Sequence, residues 1–220
     1  MNWIDLTLTI DNTCMTCGTT WHTVPSVERL GRLEEVGRNT SVITLGSHSA
    51  THLDAPLHFY NGTYGVDEIP LKKLCGSIRV IDLSHIPPGG CVRLKDMEGI
   101  AVSSKMLFKF GWYRNWKTPQ YYRDYPYFEL ETLRYLTDNG LEMLAIDTPS
   151  PDTASAIGKK DDSLGHKLLL SKRVVIVEYL NNTEQLEDGG SYEIIALPLK
   201  LKGSDGSPCR VIARRLSYEL

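Results

Sequence analysis

Residues 47–58 read SHSATHLDAPLH and bring three of the six histidines and one aspartate within eleven residues. Neutral imidazole and carboxylate are the usual protein ligands of zinc and manganese. A hydrophobic core would not tolerate these groups unpaired. A polar loop with incidental histidines would account for any two of them, but four at this spacing favour a metal site. The candidate ligands are His48, His52, Asp54 and His58.

The spacing also restricts the backbone of this segment. On a continuous helix, Asp54 would lie well off the face that His48 and His52 share. On a fully extended strand, the Cα atoms of His48 and His52 would be about 13 Å apart, which is too far for comfortable ligation of one ion. We therefore expect a strand over residues 41–45 that leads into a bent ligand segment, with the bend at residues 49–50.

Composition bounds the class of protein. The chain has 220 residues, 41% of them hydrophobic, which predicts a single domain over residues 1–220. The net charge of −3 argues against nucleic acid and anionic membranes as partners. No apolar run approaches the roughly 20 residues that span a bilayer. Residues 1–5 do not resemble a signal peptide, and five cysteines, an odd number, suggest reduced thiols and a cytoplasmic protein.

Apolar patterning elsewhere predicts a sheet-rich α/β fold. Alternating apolar residues over 4–10 indicate a strand with one buried face, and Leu130, Leu133 and Leu136 followed by Gly140 indicate a helix over 129–139. A short helix or loop is expected over 164–170. Further strands are predicted over 78–83, 106–110, 143–146 and 173–180.

One charged residue interrupts the most apolar of these strands. Residues 173–180 read RVVIVEYL, so Glu178 is expected inside a strand that is buried on both faces. A carboxylate there is costly unless it is paired or bound to a metal. The strand by itself leaves a salt-bridged glutamate and a metal ligand equally open.

Two other motifs carry weaker signals. Cys14 and Cys17 form a CxxC pair, but no second CxxC accompanies it, so two thiols in an ordered loop are the simplest interpretation and a pocket-lining or redox role is the alternative. Residues 112–128 interleave aromatic with basic residues. We expect them to form a loop over a pocket or part of an oligomer interface. The isolated His22 is expected on the surface rather than as a ligand, and His85 is expected to be structural.

The ligand segment resembles a family signature. Residues 48–58, written HxATHxDxPxH, closely resemble the HxGTHxDxPxH motif of the metal-dependent cyclase hydrolases, which include bacterial kynurenine formamidase and isatin hydrolase. Ala50 stands where the family has glycine, which costs stability if that position needs a positive φ. Residues 147–152, 192–199 and 205–208 continue the likeness, which covers about residues 4–214.

The resemblance implies a swivelling β/β/α fold and two metal ions. His48, His52 and Asp54 would hold the first ion, and Asp54 and Glu178 would bridge to a second ion that His166 completes. Zinc is expected, with manganese as the alternative, and a one-ion site with the first three ligands also stays open. His58 would then be left beside the metals as a general acid and base.

The implied reaction is hydrolysis of an amide C–N bond, in a formamide or a cyclic amide, by a metal-activated water. A lactone or ester hydrolase on the same site, a non-catalytic metal-binding protein and a CxxC redox protein are the alternatives. The resemblance also implies a small-molecule substrate and a homodimer or homotetramer.

The N-terminal loop bears on the substrate. Kynurenine formamidases resemble one another there in an aromatic residue followed by Pro-Gly, whereas this chain reads Thr-Cys-Gly over residues 16–18, with Trp21 nearby but out of register. Cys17 and Trp21 are therefore candidate substrate contacts. N-formylkynurenine is no more favoured as substrate than another amide, a lactam or a small ester.

Overall fold

The computed structural model describes residues 2–156, 158–159 and 162–216. Most of the described strands form one mixed sheet, and four short α-helices accompany them. The strands are β1 (Ile4–Asp5), β2 (Ser26–Gly31), β3 (Thr40–Thr44), β4 (His52–Asp54), β5 (Cys75–Asp82), β6 (Cys91–Val92), β7 (Lys105–Lys109), β8 (Tyr127–Phe128), β9 (Met143–Ile146), β10 (Val175–Glu178), β11 (Ser191–Pro198) and β12 (Gly206–Arg215). The helices are α1 (Leu33–Val36), α2 (Leu71–Leu74), α3 (Leu130–Asp138) and α4 (Leu164–Ser171).

The main sheet closes on itself. Its strand order is β1-β12-β11-β5-β7-β9-β10-β4, and β12 pairs with β4 as well. Strands β5, β7, β9 and β10 run parallel, and the remaining neighbours pair antiparallel. Closure leaves β4 hydrogen-bonded on both sides, which a strand of three residues needs in order to be held rigidly.

Side chains that alternate along the strands build two cores. Leu107 of β7 joins the core inside the closed sheet, whereas its neighbours Met106 and Phe108 join the core outside it. Helix α3 packs Leu133 and Leu136 into the outer core. All four residues of β9 and of β10 are buried. Parallel strands covered on both faces read as continuous apolar runs, as they do here.

The predicted α/β class is confirmed, but some boundaries were wrong. The strand predicted over 4–10 is shorter and covers Ile4–Asp5: the Leu6 N–H still donates to the Val211 carbonyl of β12 (2.9 Å), but the Leu8 N–H donates to the Thr51 hydroxyl (2.8 Å) instead. The strand predicted over 41–45 exists as β3, but it pairs only with β2, in a hairpin outside the main sheet. The segment over 164–170 is helix α4.

The aromatic stretch over 112–128 packs into its own chain. Trp112, Tyr121, Tyr125 and Phe128 are all buried in the outer core. These four side chains therefore do not form the oligomer interface that was one of the two predictions for this stretch. No helix in the described part of the chain is long and apolar enough to cross a membrane.

One buried carboxylate joins the ends of three strands. Asp147 follows β9 and accepts hydrogen bonds from the Phe110 N–H (2.9 Å), the Gly111 N–H (2.8 Å) and the Thr183 hydroxyl (2.7 Å). Phe110 and Gly111 follow β7, and Thr183 lies beyond β10. The Asp147 side chain thus joins the C-terminal ends of β7, β9 and β10.

We expect Asp147→Ala to lower the free energy of unfolding by about 3 kcal/mol, because it leaves two backbone N–H groups and a hydroxyl without an acceptor. Urea unfolding followed by circular dichroism measures this. Asp138→Ala is the matched control, since its exposed ion pair with Lys172 should contribute less than about 1 kcal/mol. Equal unfolding midpoints for the two variants would contradict the role given to Asp147.

Candidate metal centre

The register of the sheet brings three ligand candidates together. His52 and Asp54 are two residues apart on β4 and face the same side, while Leu53 between them points into the inner core. In the antiparallel pairing of β4 with β10, Glu178 lies opposite His52. Glu178 therefore meets both residues although more than a hundred positions of sequence separate them.

The segment before β4 bends at Ala50, whose φ is 51°. The bend predicted at residues 49–50 is thus present, and alanine occupies a left-handed conformation that costs roughly 1–2 kcal/mol. The bend turns the Ala50 carbonyl toward the ring of His52, whose Nδ1–H donates to it (2.7 Å). The adjacent Thr51 hydroxyl donates to the Tyr179 carbonyl (2.6 Å) and so ties the bend to the end of β10.

The imidazoles converge on the two carboxylates. His52 Nε2 lies 3.4 Å from Asp54 Oδ1 and 3.3 Å from Glu178 Oε2. His166, carried in by α4, places Nε2 3.4 Å from Asp54 Oδ2 and 3.2 Å from Glu178 Oε1. His48 Nδ1 lies 2.8 Å from Asp54 Oδ1. The structure therefore brings together the five residues that were predicted as metal ligands.

Imidazole nitrogens surround these carboxylates, but most of the carboxylate oxygens form no hydrogen bond with them. Asp54 and Glu178 are 0% and 3% exposed, and both oxygens of Asp54 and Oε1 of Glu178 lack a hydrogen-bond partner among the described residues. Buried carboxylate oxygens without partners are costly unless a cation meets them. Nitrogen and oxygen atoms that face one another without hydrogen-bond geometry are what ligands of a common ion look like. The donor set suits a divalent ion such as zinc or manganese.

The described part of the chain contains two groups of candidate ligand residues, and within each group the ligand atoms lie within 4.8 Å of one another. One contains His52, Asp54 and Glu178, and the other contains His48, Asp54 and His58. Asp54 belongs to both groups, as a carboxylate that bridges two ions would. This grouping differs from the one implied by the resemblance, because it brings His58 within ligand range and leaves His166 beside the first group.

The ring nitrogens that face away from the carboxylates are also bound. His166 Nδ1 hydrogen-bonds Asp152 Oδ2 at 2.6 Å, and His48 Nε2 hydrogen-bonds Asp205 Oδ2 at 2.8 Å. Together with the bond of His52 to Ala50, these contacts fix the orientation of all three rings. Metal-binding histidines in proteins are usually held in this way.

The charges at the centre are strongly coupled. Burial alone would lower the pKa of His52, but its contacts with Asp54 and Glu178 outweigh burial and raise the pKa to about 10. The pKa of His166 is raised for the same reasons, with Asp152 as the largest favourable contributor. An ion that binds here must displace these protons, so its affinity should increase with pH.

His58 lies at the edge of the centre. It ends a 3₁₀ turn over Pro56–His58, and its Nδ1 hydrogen-bonds Asp205 Oδ2 at 3.0 Å. Its ring lies 4.0 Å from that of His48, between centroids. Its role as general acid and base stays a prediction, since both proton transfer and metal ligation are within its reach.

A cavity of about 280 Å³ opens over these residues. Cys17 and Trp21, the predicted substrate contacts, both line it, and Trp21 is 66% exposed at its mouth. Four further aromatic side chains lie in its wall, beside polar residues such as Thr19 and Ser150. They are Phe59, Tyr122, Tyr125 and Tyr179.

Sequence reasoning missed His22 and Asp205. His22 lines the cavity and hydrogen-bonds Cys17 Sγ (2.8 Å), and burial together with the neighbouring His48 lowers its pKa to about 4. A lone histidine gave no signal for this position. Asp205 lies in the Asp-Gly-Ser-Pro turn, which was recognised only as a likeness to the family. Cys14 is buried, and burial raises the pKa of its thiol, whereas a redox role would require the opposite shift.

Comparison with known proteins agrees with this geometry. A family model described as a cyclase matches residues 4–153. Kynurenine formamidase from Bordetella petrii is 32% identical over 180 residues, which cover 81% of this chain and 81% of that protein.

Two solved structures extend the likeness to nearly the whole chain. Isatin hydrolase A from Ralstonia solanacearum superposes with a TM-score of 0.84 at 21% identity and covers 96% of this chain and 91% of its own, which shows the shared fold. A "predicted metal-dependent hydrolase" from Bacillus stearothermophilus superposes with a TM-score of 0.74 at 25% identity, over 96% of this chain and 97% of its own. On the family match and the formamidase identity, this chain belongs to the cyclase family.

Proposed function

We propose that the protein is a metal-dependent hydrolase that cleaves the C–N bond of a small formamide or cyclic amide. Its relatives include kynurenine formamidases, and its fold is that of isatin hydrolase. The observation that carries the proposal is the pair of buried carboxylates, Asp54 and Glu178, whose unpartnered oxygens face imidazoles at the floor of a cavity.

A zinc or manganese ion held there would lower the pKa of a coordinated water and polarise a carbonyl group. His48, His52, Asp54, His166 and Glu178 are the residues that would hold it. Asp54 belongs to both groups of candidate ligand atoms and would therefore serve both ions if two were bound, a role that the family resemblance also implies for Glu178. Zinc is our first assignment and manganese the alternative, since imidazole and carboxylate ligands suit both.

The proton transfers fall to His58. Its Nδ1–H is held by Asp205, so Nε2 is the nitrogen that can accept a proton from the attacking water. The same nitrogen can return that proton to the leaving nitrogen of the amide, since imidazole can both accept and donate a proton. The aromatic wall of the cavity can pack against an apolar part of the substrate and exclude bulk water.

The polar side of the cavity favours a substrate other than N-formylkynurenine. Cys17 Sγ and Thr19 Oγ1 both lie 2.8 Å from His22 Nδ1, which makes this wall a hydrogen-bonded polar cluster. The family's formamidases resemble one another in carrying an aromatic residue followed by Pro-Gly in this loop, whereas Trp21, the aromatic residue of this loop that lines the cavity here, lies out of that register. A more polar amide, a lactam, a lactone or a small ester fits such a wall. A non-catalytic metal site is disfavoured, because the ligands here open onto a cavity.

We expect His58→Ala to reduce turnover of the responsive substrate by about 10²–10⁴-fold while the metal content stays at the wild-type value. Screening formamides, lactams and esters on the metal-loaded protein identifies that substrate. Elemental analysis of the same samples measures the metal. His85→Ala is the control, since His85 is exposed and does not line the cavity. Full activity in His58→Ala, or loss of its metal, would show that His58 has another role.

We also propose that the protein assembles as a homodimer or homotetramer in the cytoplasm. All five cysteines are free, which supports a reducing compartment. The hairpin arm, residues 26–44, pairs with no other strand in the described residues. Its apolar side chains stand in solvent, among them Leu30 (73% exposed) and Ile43 (60%). A two-stranded hairpin is marginally stable alone, so a second copy that covers the arm would stabilise it.

We expect the double variant Leu30→Asp/Ile43→Asp to be monomeric by size-exclusion chromatography with light scattering, because the added charges oppose burial of the arm. Leu71→Asp changes an equally exposed leucine on α2 and should leave the assembly unchanged. A monomeric wild type, or a double variant that assembles like the wild type, would contradict this use of the arm.

A further inference from the structure

The backbone position of Asp205 is fixed by the pairing of β12 with β4. Asp205 immediately precedes β12, whose first residues pair with β4 so that Gly206 lies opposite Asp54 and Pro208 opposite His52. The Ala55 N–H donates to the Asp205 carbonyl at 2.9 Å. The backbone of Asp205 is therefore held against the strand that carries the candidate ligands.

A single oxygen of this side chain contacts two histidines. Asp205 Oδ2 lies 2.8 Å from His48 Nε2 and 3.0 Å from His58 Nδ1. The His48 side chain is 10% exposed, and its other nitrogen faces Asp54. The carboxylate thus reaches a candidate metal ligand and the proposed acid–base residue at once.

The residue after Asp205 is Gly206, whose lack of a side chain makes the contact between Asp205 and His48 possible. A Cβ atom on Gly206 would lie 2.8 Å from His48 Cε1 and 3.1 Å from the Leu53 carbonyl oxygen. Only glycine lets the His48 ring approach β12 closely enough to reach Asp205. Asp205 and Gly206 therefore act together on His48: the glycine leaves room for the ring, and the carboxylate binds its Nε2.

We infer that Asp205 is a positioning residue that couples the metal ligand His48 to the proton-carrying His58. This inference rests on the proposed function. A hydrogen bond to His48 Nε2 leaves Nδ1 as the nitrogen available for a metal, and a hydrogen bond to His58 Nδ1 leaves Nε2 as the nitrogen available for a proton. One carboxylate thereby sets the tautomer of both rings.

The test compares Asp205→Asn with Asp67→Asn. Asp67 accepts the Gly203 N–H (2.9 Å) and braces the same β11–β12 turn without contacting a histidine. We expect Asp205→Asn to weaken zinc binding by about 10–100-fold in competition with a chromophoric chelator, the usual consequence of losing an outer carboxylate. Asp67→Asn should bind zinc as the wild type does. Asp205→Glu, which keeps the carboxylate, should recover part of the affinity.

Two further readouts separate positioning from general support of the fold. Nitrogen-15 NMR of the zinc-loaded protein should show His58 protonated on Nδ1 in the wild type and shifted toward Nε2–H in Asp205→Asn. With saturating zinc, His58→Ala/Asp205→Asn should turn over substrate within about twofold of His58→Ala, because Asp205 acts on the proton transfer only through His58.

The zinc and NMR measurements need no substrate, so they test Asp205 even if no amide is hydrolysed. Wild-type zinc affinity together with an unchanged His58 tautomer in Asp205→Asn would overturn the inference. Equal losses in Asp205→Asn and Asp67→Asn would also overturn it. Absence of hydrolysis by the wild type, with the zinc and NMR changes present, would instead overturn the proposed reaction alone.

Discussion

The structure depends on two buried carboxylates, Asp54 and Glu178, that share the same two neighbouring imidazoles, His52 and His166. Two buried negative charges would repel and would be poorly solvated, so the surrounding structure must supply positive charge. Three imidazoles lie within 3.4 Å of them, and no other cation reaches Asp54 or Glu178 among the ion pairs of the described residues. A divalent ion fits this requirement better than protons do, because it can meet oxygens and nitrogens simultaneously.

The closed sheet is what makes this arrangement possible. Strand β4 is short, yet it pairs with β10 on one side and with β12 on the other. The first pairing brings Glu178 to His52, and the second brings Asp205 to the outer edge of His48. Helix α4 contributes His166, whose ring hydrogen-bonds Asp152. The centre is therefore assembled from four separate parts of the chain, each fixed by backbone hydrogen bonds or, for His166, by the Asp152 carboxylate.

Local sequence predicted several of the candidate ligands but not their surroundings. The spacing of His48, His52 and Asp54 singled them out directly, the isolated charge in an apolar strand left Glu178 open between an ion pair and a metal, and only the family resemblance added His166. The bend at Ala50 followed from the distance that two imidazoles must span. Asp205 and His22 could not be predicted this way, because their importance comes from contacts across the sheet and the cavity. The hairpin arm was missed for a related reason, since alternating residues predict a strand without saying which sheet it joins.

The most direct test of the account is the metal content of the purified protein, measured by elemental analysis for the wild type and for Asp54→Asn. A carboxylate shared by two ligand groups predicts about two equivalents of zinc or manganese in the wild type and a large loss from both positions in the variant. One equivalent would support the simpler site of His48, His52 and Asp54. No bound metal in the wild type, even after reconstitution with either ion, would contradict the metal centre and the hydrolytic mechanism built on it.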